Sequence, residues 1–554
     1  MIGERLGAIE EKIHRAPKST RWRLRSRVGD RVRWYEEPEE NVPQDCVEPL
    51  GRARLTRAET LVDLLEQGSP DAAAIVVPHG VRLTYRALRE EVAAAADHLA
   101  RLGLAPGDRI ALVLPNSAEA IVLFCAAACA GTAAPLNAAY KEDEFRFYLE
   151  DTRARALVVP PGQGEAARRA LPDGVGLIEA AFERGGRLAF ESRLRVDSSR
   201  SAGTPTGDDE ALVLHTSGTT SRPKLVPLRQ RNLAASARNI ARTYSLTPDD
   251  VAVCVMPLFH IHGLMASTMA TLASGGTVVV PPKFDPMAFW PVVEEHGATW
   301  YSAVPTMHQL LLMRNRGERP AGAENLRFIR SSSSALSPET MRQLESAFGA
   351  PVLEAYGMTE ASHQMASNPL PPGERRAGTV GRATGIEIGV MDEAGALVAQ
   401  GGGGEVVIKG ASVIDAYANN PEANAKSFAN GWFRTGDQGV LDGQGYLSLT
   451  GRLKEMINRG GEKIAPREID DVLLQHPAVG EAVAFGSPHP QWGEEVAAAI
   501  VLKSGATKSE LIAFARERLA DYKVPKKLFI VDKIPRTATG KIQRRTVAES
   551  LNQQ

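Results

Sequence analysis

From about residue 56 the chain alternates between short apolar runs and longer stretches whose apolar side chains recur at helical spacing. Thr84 is placed to open a helix in which Leu88, Val92, Ala95 and Leu99 share one face, and Gly103 stops it. Pro106, Gly107 and Asp108 then turn the chain into the apolar run 110–114, which reads as a strand buried on both faces. A second helix is expected from near Asn116. Similar runs recur at 211–214, 251–255, 277–280 and 352–356, with helix-like stretches between them, so the pattern predicts α/β architecture built on mostly parallel sheet. After about residue 376 the texture changes to short strands and turns, and Gly401 to Gly404 read as turn residues since no helix follows them. From about Gly451 the pattern becomes a small α+β unit with helices near 468–474 and 509–519. Three segments follow: an extension at 1–55, a large domain at 56–451 and a small one at 452–554.

The length of 554 residues agrees with more than one domain, because a single core stops growing well below that size. Sixty-five Lys and Arg against 66 Asp and Glu leave no excess of positive charge for nucleic acid or an anionic membrane, so any anion must be held locally. Four cysteines, Cys46, Cys125, Cys129 and Cys254, are too few for a disulfide framework, which points to a reducing compartment. Cys125 and Cys129 lie one helical turn apart in the run 120–130 and read as core. That run is about half the length of a membrane span, so stable membrane insertion is not expected. The first 40 or so residues carry a basic stretch, 21–33, but no apolar signal region, and the last four are not a peroxisomal address. A cytoplasmic location is the expectation. The extension either packs on the large domain or mediates assembly into a homo-oligomer.

The segment Thr216, Ser217, Gly218, Thr219, Thr220, Ser221, Arg222, Pro223, Lys224 directly follows the run 211–214. Glycine lets backbone N–H groups converge, hydroxyls add donors and a lysine supplies a point charge, so this composition suits a polyphosphate. It lacks Walker A spacing, which disfavours an ordinary kinase or GTPase. A plain Ser/Thr-rich surface loop is the alternative.

This segment resembles the phosphate loop of the adenylate-forming superfamily, which includes acyl-CoA synthetases, luciferase and peptide-synthetase adenylation domains. Tyr356, Gly357, Met358, Thr359, Glu360 resembles a second family motif, and Tyr417 with the segment 431–437 a third. Gly451, Arg452, Leu453, Lys454 with Gly460 and Gly461 resembles the hinge region, and Pro535 to Lys541 the terminal lysine motif. The resemblance runs from about residue 56 to 545. It implies a multi-subdomain adenylation domain with a β-rich part, followed by a small mobile lid, and the substrates ATP and coenzyme A with Mg2+ as cofactor.

Roles follow from the same resemblance. Ser334, Ala335, Glu354, Ala355 and Tyr356 would frame adenine, Thr359 would bond the α-phosphate, and Glu360 with Thr216 would hold Mg2+. Asp437 would take the ribose hydroxyls, Arg452 the ribose or phosphate, and Lys541 the charge that develops during adenylation. Lys454 would be the hinge, Gly460, Gly461 and Lys283 would meet coenzyme A, and His260 would gate the acyl site. Leu225 stands where most relatives have glycine, and Lys454 where many have aspartate. His260 and His262, in a segment 257–263 read as a loop, are not taken as zinc ligands, because no third ligand is near.

A narrower resemblance, carried by His215, Ser221, Arg222 and the segments 257–263, 300–309, 328–338 and 360–369, is to the oxalyl-CoA synthetases. His215, His260, His262, Ser333 and His363 could supply polar donors to an acyl pocket, as a dianion would require, or they could be satisfied structural side chains. Medium- or long-chain fatty acids, another small acid, and acyl transfer to a carrier protein remain as alternatives.

Overall fold

A computed structural model describes residues 22–28, 31–36, 58–194, 196–197, 199–216, 223–537 and 542–552. Residues Met1–Arg54 form one compact unit, whose described backbone is an antiparallel pair, Trp22–Val28 with Arg31–Glu36. Residues Leu55–Gln554 form the other. Cys46 lies outside the described residues.

Two large sheets carry the second unit. In the first, five parallel strands run in the spatial order Glu210–Thr216, Thr132–Pro135, Arg109–Leu112, Ala154–Val159, Gly176–Phe182, with antiparallel strands Lys224–Arg229 and Leu188–Ser192 at the edges. The second has nine strands. Its parallel centre runs Val352–Met358, Phe328–Ser331, Trp300–Ala303, Val251–Cys254, Thr277–Val279, Ala73–Val76. Strands buried on both faces read as unbroken apolar runs, which is why those at 110–114, 211–214, 251–255, 277–280 and 352–356 are visible in the sequence. Phe328–Ser331 does not read that way. It is buried at all four positions although it carries Arg330 and Ser331.

The helix Tyr85–Arg101 forms as the spacing predicts. Thr84 caps it by accepting from the Ala87 N–H at 3.2 Å, and Leu88, Val92, Ala95 and Leu99 are all buried. The helix Ala118–Ala130 is apolar all round and buried on nearly every side, packed against the first. Cys125 and Cys129 belong to it, and burial pushes the Cys129 thiol up to about 12 and the Cys125 thiol higher still, so neither is nucleophilic. One expectation is corrected at 257–263. Residues 258–260 turn, but Ile261 is already helical and His262 opens the π-helix His262–Met269. Gly263 permits it: a Cβ there would stand 2.4 Å from the Pro257 carbonyl oxygen, so only glycine lets the helix start this close to the preceding strand.

The chain after 376 builds an antiparallel sheet around Gly403–Lys409 and Trp432–Leu441, and Gly403 and Gly404 are strand residues. Residues 457–530 build a last sheet with two cores of their own. Among the described residues no helix is long and apolar enough to cross a membrane.

Candidate active site

The carboxyl ends of strands in both large sheets open onto a cavity of about 1150 Å³. Strand Glu210–Thr216 delivers His215 and Thr216, and its antiparallel neighbour delivers Lys224 opposite Thr216. The loop between them, with Ser217, Gly218, Thr219 and Thr220, lies outside the described residues. Leu225 sits in regular pairing with His215, its side chain buried beside Ala134 and Val213, so the strand accommodates it.

Strand Val352–Met358 ends in a short 3-10 turn, Thr359–Ala361, and Gly357, Met358, Thr359 and Glu360 form one wall. The Tyr417 hydroxyl donates to Glu360 Oε1 at 2.8 Å, and Lys224 Nζ lies 4.2 Å above the centre of the Tyr417 ring. Partial burial lowers the Lys224 ammonium pKa, with Glu360 opposing and Lys454 assisting. A cation, a carboxylate and hydroxyls thus meet where a polyphosphate could lie. Among the described residues no three His, Cys, Asp or Glu cluster at metal-binding geometry. A lone carboxylate such as Glu360 nevertheless fits Mg2+, which takes most of its shell from phosphate and water.

Facing this wall are Asp437, Arg452 and Lys454. Asp437 and Arg452 are cross-strand partners, paired Oδ1 to Nε at 2.9 Å, and the Tyr356 hydroxyl donates to Asp437 Oδ2 at 2.5 Å. The Tyr356 ring is buried behind the wall. Thr537 and Gln543, which flank Lys541 in the sequence, line the cavity, and Lys541 itself lies outside the described residues.

The residues expected to frame adenine are divided. Ser334 and Ala335 line a separate pocket of about 70 Å³, closed by Leu474, Ala482 and Ile542 from the C-terminal segment. Ala355 is buried, its carbonyl accepting from Ser332 Oγ at 2.9 Å. Glu354 is buried too. Its Oε1 accepts from the Leu336 N–H at 2.9 Å with Arg467 Nη2 at 3.8 Å, while Oε2 has no hydrogen-bond partner. Burial raises the Glu354 pKa to about 7 although Arg467 opposes the shift.

Of the expected acyl-site residues, His215 and His260 line the cavity. His215 Nε2 meets Asp151 Oδ2 at 2.9 Å, and the edge of its ring packs on Tyr148. His260 Nδ1 accepts from the His262 N–H at 3.2 Å. His262 and His363 are buried, in a polar cluster with Ser302, Gln364, Tyr244, Arg330 and half-buried Ser333. Arg330 was not legible as a site residue, since one charge in a Ser-rich run looks like surface. Gly460 and Gly461, with φ of 60° and 99°, form the tip of the hairpin Ile457–Arg459 and Glu462–Ile464, where a Cβ on Gly460 would stand 2.8 Å from the Trp492 ring. They do not line the cavity described. Lys283 is exposed on a surface loop and touches neither pocket.

The model of the AMP-binding enzyme family matches residues 65–418, and that of the AMP-binding enzyme C-terminal domain matches 468–541. An oxalate–CoA ligase from Arabidopsis thaliana is 46% identical over 506 residues, covering 89% of this chain and 98% of that protein. One from Saccharomyces cerevisiae is 43% identical over 522 residues, covering 87% and 95%. Among solved structures, ATP-bound MatB from Rhodopseudomonas palustris superposes with a TM-score of 0.80 at 32% identity, covering 89% of this chain and 99% of that one.

Proposed function

The chain belongs to the AMP-binding enzyme family and is an AMP-forming acid–thiol ligase, and we propose that the acid it activates is oxalate. The reaction has two halves. A carboxylate oxygen of the acid attacks the α-phosphorus of ATP, the bond to the bridging oxygen breaks, and pyrophosphate leaves. The thiolate of coenzyme A then attacks the acyl carbon of the acyl-adenylate and AMP leaves, which forms the thioester.

In this reading Lys224 and the 216–224 loop hold the β- and γ-phosphates, Thr359 bonds the α-phosphate, and Asp437 with Arg452 holds the ribose. Mg2+ held by Glu360, with Thr216 beside it, would offset the negative charge of the triphosphate. Tyr417 keeps the Glu360 carboxylate turned toward that place. Lys541 stabilises charge on the α-phosphate oxygens during adenylation. The segment 452–554 then rotates about Lys454, which withdraws Lys541 and brings Gly460 and Gly461 to the thiol arm.

The observation that carries the choice of acid is the polar lining of the acyl side. His215 and His260 line the cavity, and His262 and His363 are buried in a polar cluster with half-buried Ser333, where a fatty chain would need apolar walls. The oxalate–CoA ligases of two organisms, at 46% and 43% identity, support the same choice. Steady-state kinetics with oxalate, malonate, acetate, butyrate and octanoate test it. The highest kcat/KM is expected for oxalate, and a higher value for octanoate than for oxalate would overturn the reading.

A further inference from the structure

Arg330 has no exposed surface, and among the fully buried side chains of the described residues only Trp300 is larger. No described carboxylate pairs with it. Its nitrogens find six contacts, all to neutral groups. Nε donates to Tyr244 Oη at 2.9 Å and Gln364 Oε1 at 3.2 Å, and Nη1 to Ser302 Oγ at 2.9 Å and His262 Nε2 at 3.2 Å. Nη2 donates to Gln364 Oε1 at 3.0 Å and His363 Nε2 at 3.1 Å. A buried guanidinium with no anion is costly, so it is retained where an anion arrives from outside or where its donors impose an arrangement.

Arginine can only donate, and this sets the direction of every bond that leads away from it. His262 Nε2 and His363 Nε2 must both be acceptors, so each neutral ring carries its proton on Nδ1. Ser302 Oγ accepts from Arg330 and directs its own hydrogen to His262 Nε2 at 2.6 Å, so the one lone pair of that nitrogen is shared, in a three-centre arrangement, between the Ser302 hydroxyl and the longer Arg330 Nη1 contact. His262 Nδ1–H then donates to Ser333 Oγ at 2.9 Å. The Ser333 hydroxyl, already an acceptor, is left to donate its hydrogen onward. Ser333 and His363 both sit at positive φ, 70° and 106°, a conformation that non-glycine residues adopt only where the surroundings impose it. The two imidazoles stack at 4.8 Å, and the Nδ1 side of His363 lies against Gly357 of the cavity wall: a Cβ on Gly357 would stand 3.1 Å from it.

We propose that Arg330 is a positioning residue for acid recognition. It fixes His262 and His363 as Nδ1–H tautomers, turns the Ser333 hydroxyl into an obligate donor toward the acid's second carboxylate, and supplies the buried positive charge that favours a dianion. This rests on the acid being dicarboxylic. A monocarboxylic acid would leave the donors and the charge unmatched, so the same arrangement discriminates against it.

The test is a set of kinetic profiles for Arg330→Met and Arg330→Lys with oxalate and acetate. Arg330→Met should lower kcat/KM for oxalate about 30-fold or more, mainly through KM, with the KM for ATP and kcat/KM for acetate within about threefold of the parent. Arg330→Lys, which keeps the charge and some donors, should recover part of the oxalate selectivity. An equal loss for oxalate and acetate, or a matching rise in the KM for ATP, would overturn the proposal. If Arg330→Met does not fold, long-range 15N–1H spectra of the parent enzyme labelled in histidine decide, with the two rings assigned by His262→Asn and His363→Asn. Both rings are expected as Nδ1–H tautomers at neutral pH, and Nε2–H in either would overturn the proposal. A parent enzyme that prefers acetate to oxalate would refute the oxalate reading, while the tautomers still report on Arg330.

Discussion

The Tyr356 hydroxyl donates a 2.5 Å hydrogen bond to Asp437 Oδ2, joining residues 81 apart in the chain and tying the end of the nine-stranded sheet to the antiparallel sheet after 376. Burial and the Asp437 carboxylate both raise the tyrosine pKa, so it stays a neutral donor at physiological pH. Arg452 holds the other carboxylate oxygen. Tyr356→Phe should cost about 1.5–3 kcal/mol of stability, as expected for a hydrogen bond to a charged group, and should raise the KM for ATP by loosening Asp437. Urea denaturation and ATP kinetics check both parts; unchanged stability would show the bond to be dispensable.

Glu354 makes stability depend on pH in a stated direction. Its folded-state pKa is raised from 4.5 to about 7 by burial, so ionising it opposes folding. That penalty is absent below the unfolded value, grows between about pH 4.5 and 7, and is full above, where it reaches about 3 kcal/mol. Glu354→Gln should therefore gain stability relative to the parent at pH 8 and little at pH 5. The difference between the two proteins, followed by thermal denaturation across this range, isolates Glu354 from Asp471, which burial raises to about 6. A difference that does not change with pH would refute this assignment.

Tyr417 orients the carboxylate assigned to Mg2+ through its 2.8 Å bond to Glu360. Groups that orient a metal ligand typically contribute about 10–100-fold to metal affinity. Tyr417→Phe is expected to raise the Mg2+ concentration for half-maximal pyrophosphate release about tenfold, at the low end because phosphate supplies much of the shell. Titration of activity against Mg2+ measures it, and an unchanged midpoint would remove Glu360 from the metal site.

The two half-reactions should separate genetically. Lys541→Ala should abolish acyl-adenylate formation yet leave thioester formation from supplied acyl-AMP largely intact, whereas Lys454→Pro should do the reverse. Pyrophosphate release and thioester appearance, assayed separately, report each step. Equal loss of both in both variants would sink a two-position lid.

What was legible in the sequence was local. The cap at Thr84, the buried face of Tyr85–Arg101 and the apolar run 120–130 inside the helix Ala118–Ala130 follow from the local pattern, because each depends on residues within a turn or two of one another. The order of the motifs around Thr216, Tyr356, Asp437 and Lys541 was equally plain from residue types alone. What lay beyond reach was set by which strands become neighbours. Phe328–Ser331 is clamped between parallel strands Trp300–Ala303 and Val352–Met358, and that placement buries Arg330 beside histidines 68 and 33 residues away. Likewise only the docking of the C-terminal segment decides that Ser334 and Ala335 face a pocket of their own. A linear pattern shows which face of an element is apolar, but a buried polar cluster has no period. Its members come from different strands and helices, and their directions are determined only once donors and acceptors from distant segments meet.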